Sequence, residues 1–303
     1  MSSGVQALES WALQVAGDLL VPPAAAQAHA GRDWCAEQQL ALEAALAHDP
    51  ASPISWQRAM DLLAAPAGEP LRRLADQARL TWAGDTVTYV VNRNLNVSNH
   101  CQKHCSFCAF RRDAGQPGAY WHSFEELQRR AAEAAAAGAS ELCIQGGLNP
   151  EARLDGSALA YATALLRALA EAAPGMHLHA FSPQELLFIA EQDQRPLQAV
   201  LEALIAAGLG SVPGTAAEVL TERVRRSLCP EKLSAREWCA VILQVHASGL
   251  ASTATLMAGH LEDAADRAAH LLTLVALQRW AWQHGWHGFS EFVLLPFIGA
   301  AAP

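Results

Sequence analysis

The stretch NVSNHCQKHCSFCAFRR, residues 96–112, places Cys101, Cys105 and Cys108 within eight residues, spaced CxxxCxxC. Thiolates bind soft or borderline metals, chiefly zinc and iron–sulfur clusters. Structural zinc takes four ligands, often as two separated CxxC pairs. No second pair follows here, although His100 and His104 stand close enough in sequence to complete a cysteine-rich zinc site. A 4Fe–4S cluster is normally held by four cysteines. A loop of three would leave one iron without a protein ligand, and an open metal position is where chemistry happens. Both readings stay open on these residues alone. Three unliganded thiols in an exposed loop would invite oxidation. The other cysteines, Cys35, Cys143, Cys229 and Cys239, lie scattered among apolar neighbours and read as small buried hydrophobes.

Other residues could serve a site. Phe107 sits beside the last loop cysteine, as a ligand contact or as ordinary core. Gly146 and Gly147 close an apolar run; glycine lets backbone approach a ligand, while an ordinary turn explains one glycine better than two. Glu185 in SPQE and Glu218 in PGTAAE each follow a small-residue turn. A carboxylate there can accept hydrogen bonds from ribose hydroxyls or an amine, or merely face a helix dipole. His179 and His260 face the same mouth, and either could be plain hydrogen-bonded structure. Asn92, Asn94 and Asn96 alternate, so they share one face of a strand. Inward amides need partners, which a polar interior with substrate or a wet edge would supply.

These residues must be held by something. Residues 1–85 read as a helical region, with SWALQVAGDLL, WCAEQQLALEAALAH and EPLRRLADQARLTWAG at helical spacing and proline–glycine breaks between. From residue 86 the pattern changes. DTVTYVVNRNLNV reads as a strand running into the cysteines. Helix and strand then alternate through SELCIQGG, MHLHAFS, LGSVPGT, ASTATLMAGH and SEFVLLPF as strands. SFEELQRRAAEAAAAGA opens with Ser123 and Glu126, a capping box. The alternation predicts an α/β fold with a parallel sheet, open or closed as a barrel, and chemistry at the carboxyl ends of its strands. Six strands are visible, so residues 86–303 are expected to form a partial or truncated barrel lacking its C-terminal units.

Composition narrows the classes. The chain of 303 residues is 51% hydrophobic and carries a net charge of −9. That argues against a nucleic-acid surface. Arg129-Arg130 and Arg225-Arg226 read as solvated helix faces. No run is long enough for a membrane span, and the start lacks a secretory signal. A cytoplasmic protein with reduced thiols is expected.

CxxxCxxC after the first strand, with paired glycines after the second, resembles the signature of radical S-adenosylmethionine (SAM) enzymes. The resemblance implies a TIM-type (β/α) barrel, a 4Fe–4S cluster on Cys101, Cys105 and Cys108, and SAM on the open iron. It implies that Phe107 packs on the adenine side and that the backbone of Gly146 and Gly147 receives the amino group of SAM. Electron transfer to SAM then gives methionine and a 5′-deoxyadenosyl radical.

VTYVVNRNLNVSNHCQKHCSFCAFRR, GAYWHSFEEL, ELCIQGGLNP, HLHAFSPQE, GLGSVPGTAAEVL, CPEKLSAREW, TATLMAGHLED and GFSEFVLLPFI resemble, in order, the tyrosine-dependent subunit of FO synthase. That family's reaction joins the 4-hydroxybenzyl group of tyrosine to 5-amino-6-(D-ribitylamino)uracil in deazaflavin biosynthesis. It implies a flavodoxin or ferredoxin as electron donor and the other FO synthase subunit as partner. Arg111-Arg112 follow CAF, where the related menaquinone-pathway enzymes, aminofutalosine synthase and the dehypoxanthine futalosine cyclase, usually have an aromatic. Ala258 and Leu294 depart from the family's usual tyrosine and proline, and family members continue beyond this point. An inactive truncated homologue and a zinc-stabilised binding module are the other readings.

Overall fold

A computed structural model describes residues 6–23, 55–64 and 68–299. Six parallel strands form half a barrel: β1 (Asn92–Asn96), β2 (Glu141–Gln145), β3 (His177–Ala180), β4 (Ser211–Val212), β5 (Ala251–Ala258) and β6 (Phe289–Pro296), neighbours in that order. On β2, Leu142 and Ile144 are buried outward under the helices, while Glu141, Cys143 and Gln145 line the lumen. Cys143 is therefore a lumen residue rather than a core one. Cys229 and Cys239 are buried. Cys35 and the segment WCAEQQLALEAALAH lie outside the described residues.

The first strand is shorter than its β-branched composition suggests. It starts at Asn92, the register partner of Glu141, where β2 begins. Residues 86–90 have no strand paired with them, and Val87 and Tyr89 stay 82% and 85% exposed. β-Propensity expresses itself only where a neighbour exists to pair with.

Helices cover the outer face: α1 (Ser10–Leu19), α2 (Trp56–Ala64), α3 (Glu69–Ala83), α4 (Phe124–Ala136), α5 (Ala158–Ala172), α6 (Pro183–Gln192), α7 (Leu197–Ala206), α8 (Glu222–Leu228), α9 (Ala235–Ala247) and α10 (Ala264–Gln283). Capping boxes start α6, α9 and α10, at Ser182/Glu185, Ser234/Glu237 and Asp263/Asp266. At α4 only half the expected box forms. Ser123 accepts from the Glu126 N–H, but the Glu126 carboxylate turns to Arg129 and Arg130. The short α8 had no periodic signal. α1 packs on α9, with Ala12 and Ala16 fully buried and Arg236 Nε donating to Leu13 O at 2.8 Å. Among the described residues no helix is long and apolar enough to cross a membrane.

Two histidines inside this shell make stability depend on acid. Burial pushes His270 down to about 3, and burial with His287 beside it pushes His246 down to about 4, from an ordinary 6.5. Below pH 6.5 the unfolded chain therefore binds more protons than the folded one. The stabilisation is complete above that pH and is lost as pH falls toward these values. The denaturation free energy is expected to fall by up to about 1.4 kcal/mol per pH unit for each group. A free energy unchanged between pH 7 and 5 in denaturant titrations would contradict this.

Candidate active site

The cysteine loop grows from the carboxyl end of β1. Val97 N donates to Gln145 O at 2.9 Å, the last ladder bond. Asn99 then spans the base of the loop, its Nδ2 donating to Gly118 O and its Oδ1 accepting from Tyr120 N. The extended segment GAYWHS thus backs the loop, with an isolated bridge between Ser98 and Trp121. The return limb is FRR: Arg112 N donates to Asn99 O at 2.8 Å, and Cys101 N donates to Arg112 O at 3.3 Å. The Arg112 guanidinium folds back onto the carbonyls of Ala109 and Arg111, and Arg111 pairs with Asp113. These arginines shape the loop.

Cys101, Cys105 and Cys108 are free thiols that line one cavity of about 300 Å³, together with Phe107, Phe110 and the segment after β2. Burial pushes the Cys105 thiol up to about 12, against the pull of the nearby Lys232 ammonium. It ionises only when a cation replaces the water it has lost.

Gly146 and Gly147 line the same cavity, packed directly against the loop. A Cβ on Gly147 would lie 2.1 Å from His100 O and 2.9 Å from Cys101 Cβ, so this glycine exists to let the cysteine loop close on β2. On Gly146 a Cβ would meet Ser98 O at 3.3 Å. Both N–H groups are already used, Gly146 donating to Glu185 Oε1 at 2.9 Å and Gly147 to Ser98 O at 2.7 Å. Neither carbonyl accepts a hydrogen bond among the described residues. Two acceptors therefore remain available to a ligand's ammonium. Glu185 proves to be the hinge of this wall. It closes the α6 capping box and reaches across to Gly146, its pKa raised by burial against those hydrogen bonds.

Glu218 also lines the cavity, and the structure gives it a partner that the sequence pattern does not show. Lys232 Nζ lies 2.6 Å from Glu218 Oε1 and 5.4 Å from the centroid of the Phe107 ring. Burial disfavours the ammonium, but the Glu218 carboxylate and Cys105 outweigh it and hold the lysine pKa above its ordinary value. Glu218 and Ala216 have φ of +45° and +67°, a costly region for residues with a Cβ. The clamp is Arg225. Its guanidinium is buried with no carboxylate partner among the described residues, and donates to the carbonyls of Ala216, Ala217 and Leu233, next to both members of the pair. Arg225 is thus no solvated helix residue, whereas Arg129 and Arg130 are, paired with Glu126 and Glu133. One compositional signal did point at the lysine. The chain has only two, Lys103 and Lys232, and both line this cavity.

The other expected residues fall elsewhere. His260 is spent locally, bonded to Met257 O, Leu261 N and Glu262. His179 faces the lumen, as do Asn92 and Asn94, but at the far end of the strands from the cysteines. Asn96 is exposed at the end of β1.

One zinc ion would draw its sulfur ligands to about 3.8 Å of one another. The three loop sulfurs do not come within 4.8 Å of each other as a set. His104 turns outward, 3.4 Å from Glu231 and 3.8 Å from Asp113. Three thiols around one cavity are a donor set that a multi-iron cluster can use.

The sequence model of the Radical SAM superfamily matches residues 95–274. The 5-amino-6-(D-ribitylamino)uracil–L-tyrosine 4-hydroxyphenyl transferase of Cyanothece sp. is 48% identical over 234 residues, 77% of this chain and 61% of the relative. That of Gloeobacter violaceus is 51% identical over 238 residues, 78% of this chain and 60% of the relative. The chain spans about three-fifths of the length of the curated relatives it matches. Among solved structures, methylornithine synthase superposes with a TM-score of 0.62 at 16% identity, over 85% of this chain and 68% of that one. The FeFe-hydrogenase maturase of Carboxydothermus hydrogenoformans gives 0.64 at 16%, over 86% and 57%. These two show the same half-barrel fold.

Proposed function

The chain belongs to the radical SAM superfamily, and we propose on that premise that Cys101, Cys105 and Cys108 hold a 4Fe–4S cluster whose open iron takes SAM. When bound, that pair supplies a 5′-deoxyadenosyl radical. The chain's own residues bind and orient. The free carbonyls of Gly146 and Gly147 accept the ammonium of SAM, and Phe107 flanks its adenine. Glu218, held by Lys232, offers its second oxygen to a ribose hydroxyl or a substrate amine. Phe110, Leu148 and Met257 keep water from the cavity.

The substrates follow from the relatives. We propose that L-tyrosine loses a 4-hydroxybenzyl unit, which is joined to 5-amino-6-(D-ribitylamino)uracil as a step toward the deazaflavin FO. The observation that supports this most is the single cavity that unites the loop cysteines with the Gly146-Gly147 wall, in a chain about half identical to enzymes of that name. A flavodoxin or ferredoxin would supply the electron, and the other FO synthase subunit would take the product, in the cytoplasm.

The test is anaerobic. Iron and sulfide are restored, and SAM, a strong reductant, tyrosine and the aminouracil are added. Mass spectrometry is expected to show 5′-deoxyadenosine and the hydroxybenzyl–uracil adduct together, and Cys105→Ser to lose both along with most of its iron. Deoxyadenosine without adduct would sink the substrate assignment. A protein that takes up no iron would sink the cluster.

A further inference from the structure

The lumen holds a second group of metal-ligating side chains, away from the cysteine loop. Glu141 opens β2, His177 opens β3 and Ser211 opens β4. Glu141 and His177 are register partners, and His179 stands two residues on, facing the same way. One ring nitrogen of each histidine and one oxygen of Glu141 lie within 4.8 Å of one another. Among the described residues this is the one set of three such side chains to converge so closely. His177 Nε2 and His179 Nδ1 also point at a common spot, 2.7 and 2.6 Å from Ser211 Oγ. His177 Nε2 lies 4.0 Å from Glu141 Oε2.

Two imidazoles and a carboxylate are the donor set of open zinc and non-haem iron sites. The strands fix the three Cα positions, so the set is largely preorganised. Bonds of about 2.1 Å would bring the donor atoms to about 3.4 Å apart. Small side-chain rotations supply the difference, with the 44% exposed His177 exchanging its Ser211 contact for the ion. Four residue steps along β2 separate Glu141 from Gln145 at the cysteine end, about 13 Å of strand.

We propose that Glu141, His177 and His179 form a second metal site, for one divalent transition ion of the zinc type, on the floor of the lumen. The ion ties β2 to β3. Its remaining positions face a cavity of about 920 Å³, where a hydroxyl or carboxylate of a bound molecule can take them.

The test uses untagged protein with its iron–sulfur loop loaded, so that those thiols are occupied. Zinc is titrated against a chromophoric chelator, and zinc and iron are counted by mass spectrometry. One zinc per chain is expected beyond the iron. Loss of an outer-sphere partner alone weakens metal sites by 10–100-fold, so His179→Ala and Glu141→Gln should each cost at least about 100-fold in zinc affinity, with iron unchanged. Ser211→Ala removes the shared hydroxyl and no proposed ligand; it should cost less zinc affinity than either ligand substitution, and a loss equal to theirs would overturn the assignment of ligands. Absence of a zinc equivalent overturns the proposal. So does zinc that survives both ligand substitutions but leaves when the loop cysteines are replaced. Glu141→Gln, at a strand end, reads the same quantity should His179→Ala fold poorly.

Discussion

Gly147→Ala is expected to leave a folded barrel that cannot keep its cluster. The added methyl would sit 2.1 Å from His100 O and 2.6 Å from its carbonyl carbon. Those atoms are backbone, so no rotamer change relieves the clash. Overpacking of this kind costs about 1–3 kcal/mol, and here the strain falls on the loop that sets the sulfur positions. A displacement of about 1 Å at a reacting centre costs roughly 100-fold in rate. Iron per chain should fall from about four to below about one, with product formation down at least 100-fold and far-ultraviolet circular dichroism unchanged. Gly146→Ala is the matched control, because its nearest contact would be 3.3 Å and the loop can give by that little. Full iron in Gly147→Ala, or equal loss in both variants, would show that this approach does not shape the loop.

Lys232→Met is expected to be the most destabilising change near the cavity that touches no cysteine. Side-chain exposure is 16% for the lysine and 8% for Glu218, so removing the ammonium strands a buried carboxylate. Breaking such a pair from one side costs about 3–5 kcal/mol. Replacing both members, Lys232→Met with Glu218→Leu, should recover most of that. The double-mutant cycle in denaturant measures it. If the two losses simply add, the charges are not coupled and the short contact has no energetic meaning. The single variant should also bind SAM more weakly, since Glu218 is held in an unfavourable φ region and Lys232 fixes where its carboxylate points.

The parts of this site that could be read from sequence were those with local signals. The cysteine spacing, the paired glycines and each turn of the strand–helix alternation are signals carried by short stretches of neighbouring residues. The cavity brings Cys101, Cys105, Cys108, Phe107, Gly146, Gly147 and Glu218 onto its walls together. What was not legible depended on distance along the chain. Lys232 meets Glu218 across fourteen residues of aperiodic loop and a short helix, through a guanidinium clamp that a doublet of arginines does not announce. His179 and His260 looked alike as strand-end histidines. Only the register places one against Ser211 and leaves the other folded on its own turn. The first strand was overextended because residue preference says nothing about where a partner strand begins.

The way the cysteine loop is stitched has a consequence in time. Its bonds reach far forward in the sequence: Ser98 O accepts from Gly147 N, Gln102 N donates to Leu148 O, and Ser106 donates through both N and Oγ to Leu228 O. The last of these spans 122 residues. Contacts of such long range form late, after the intervening loops have closed. The three sulfurs therefore reach their positions only once β2 and α8 have docked. A chain still emerging from the ribosome offers iron nothing but a floppy peptide. Loading of the proposed cluster would thus be the final act of maturation for this fold, and a slow-folding variant would be short of iron before it was short of structure.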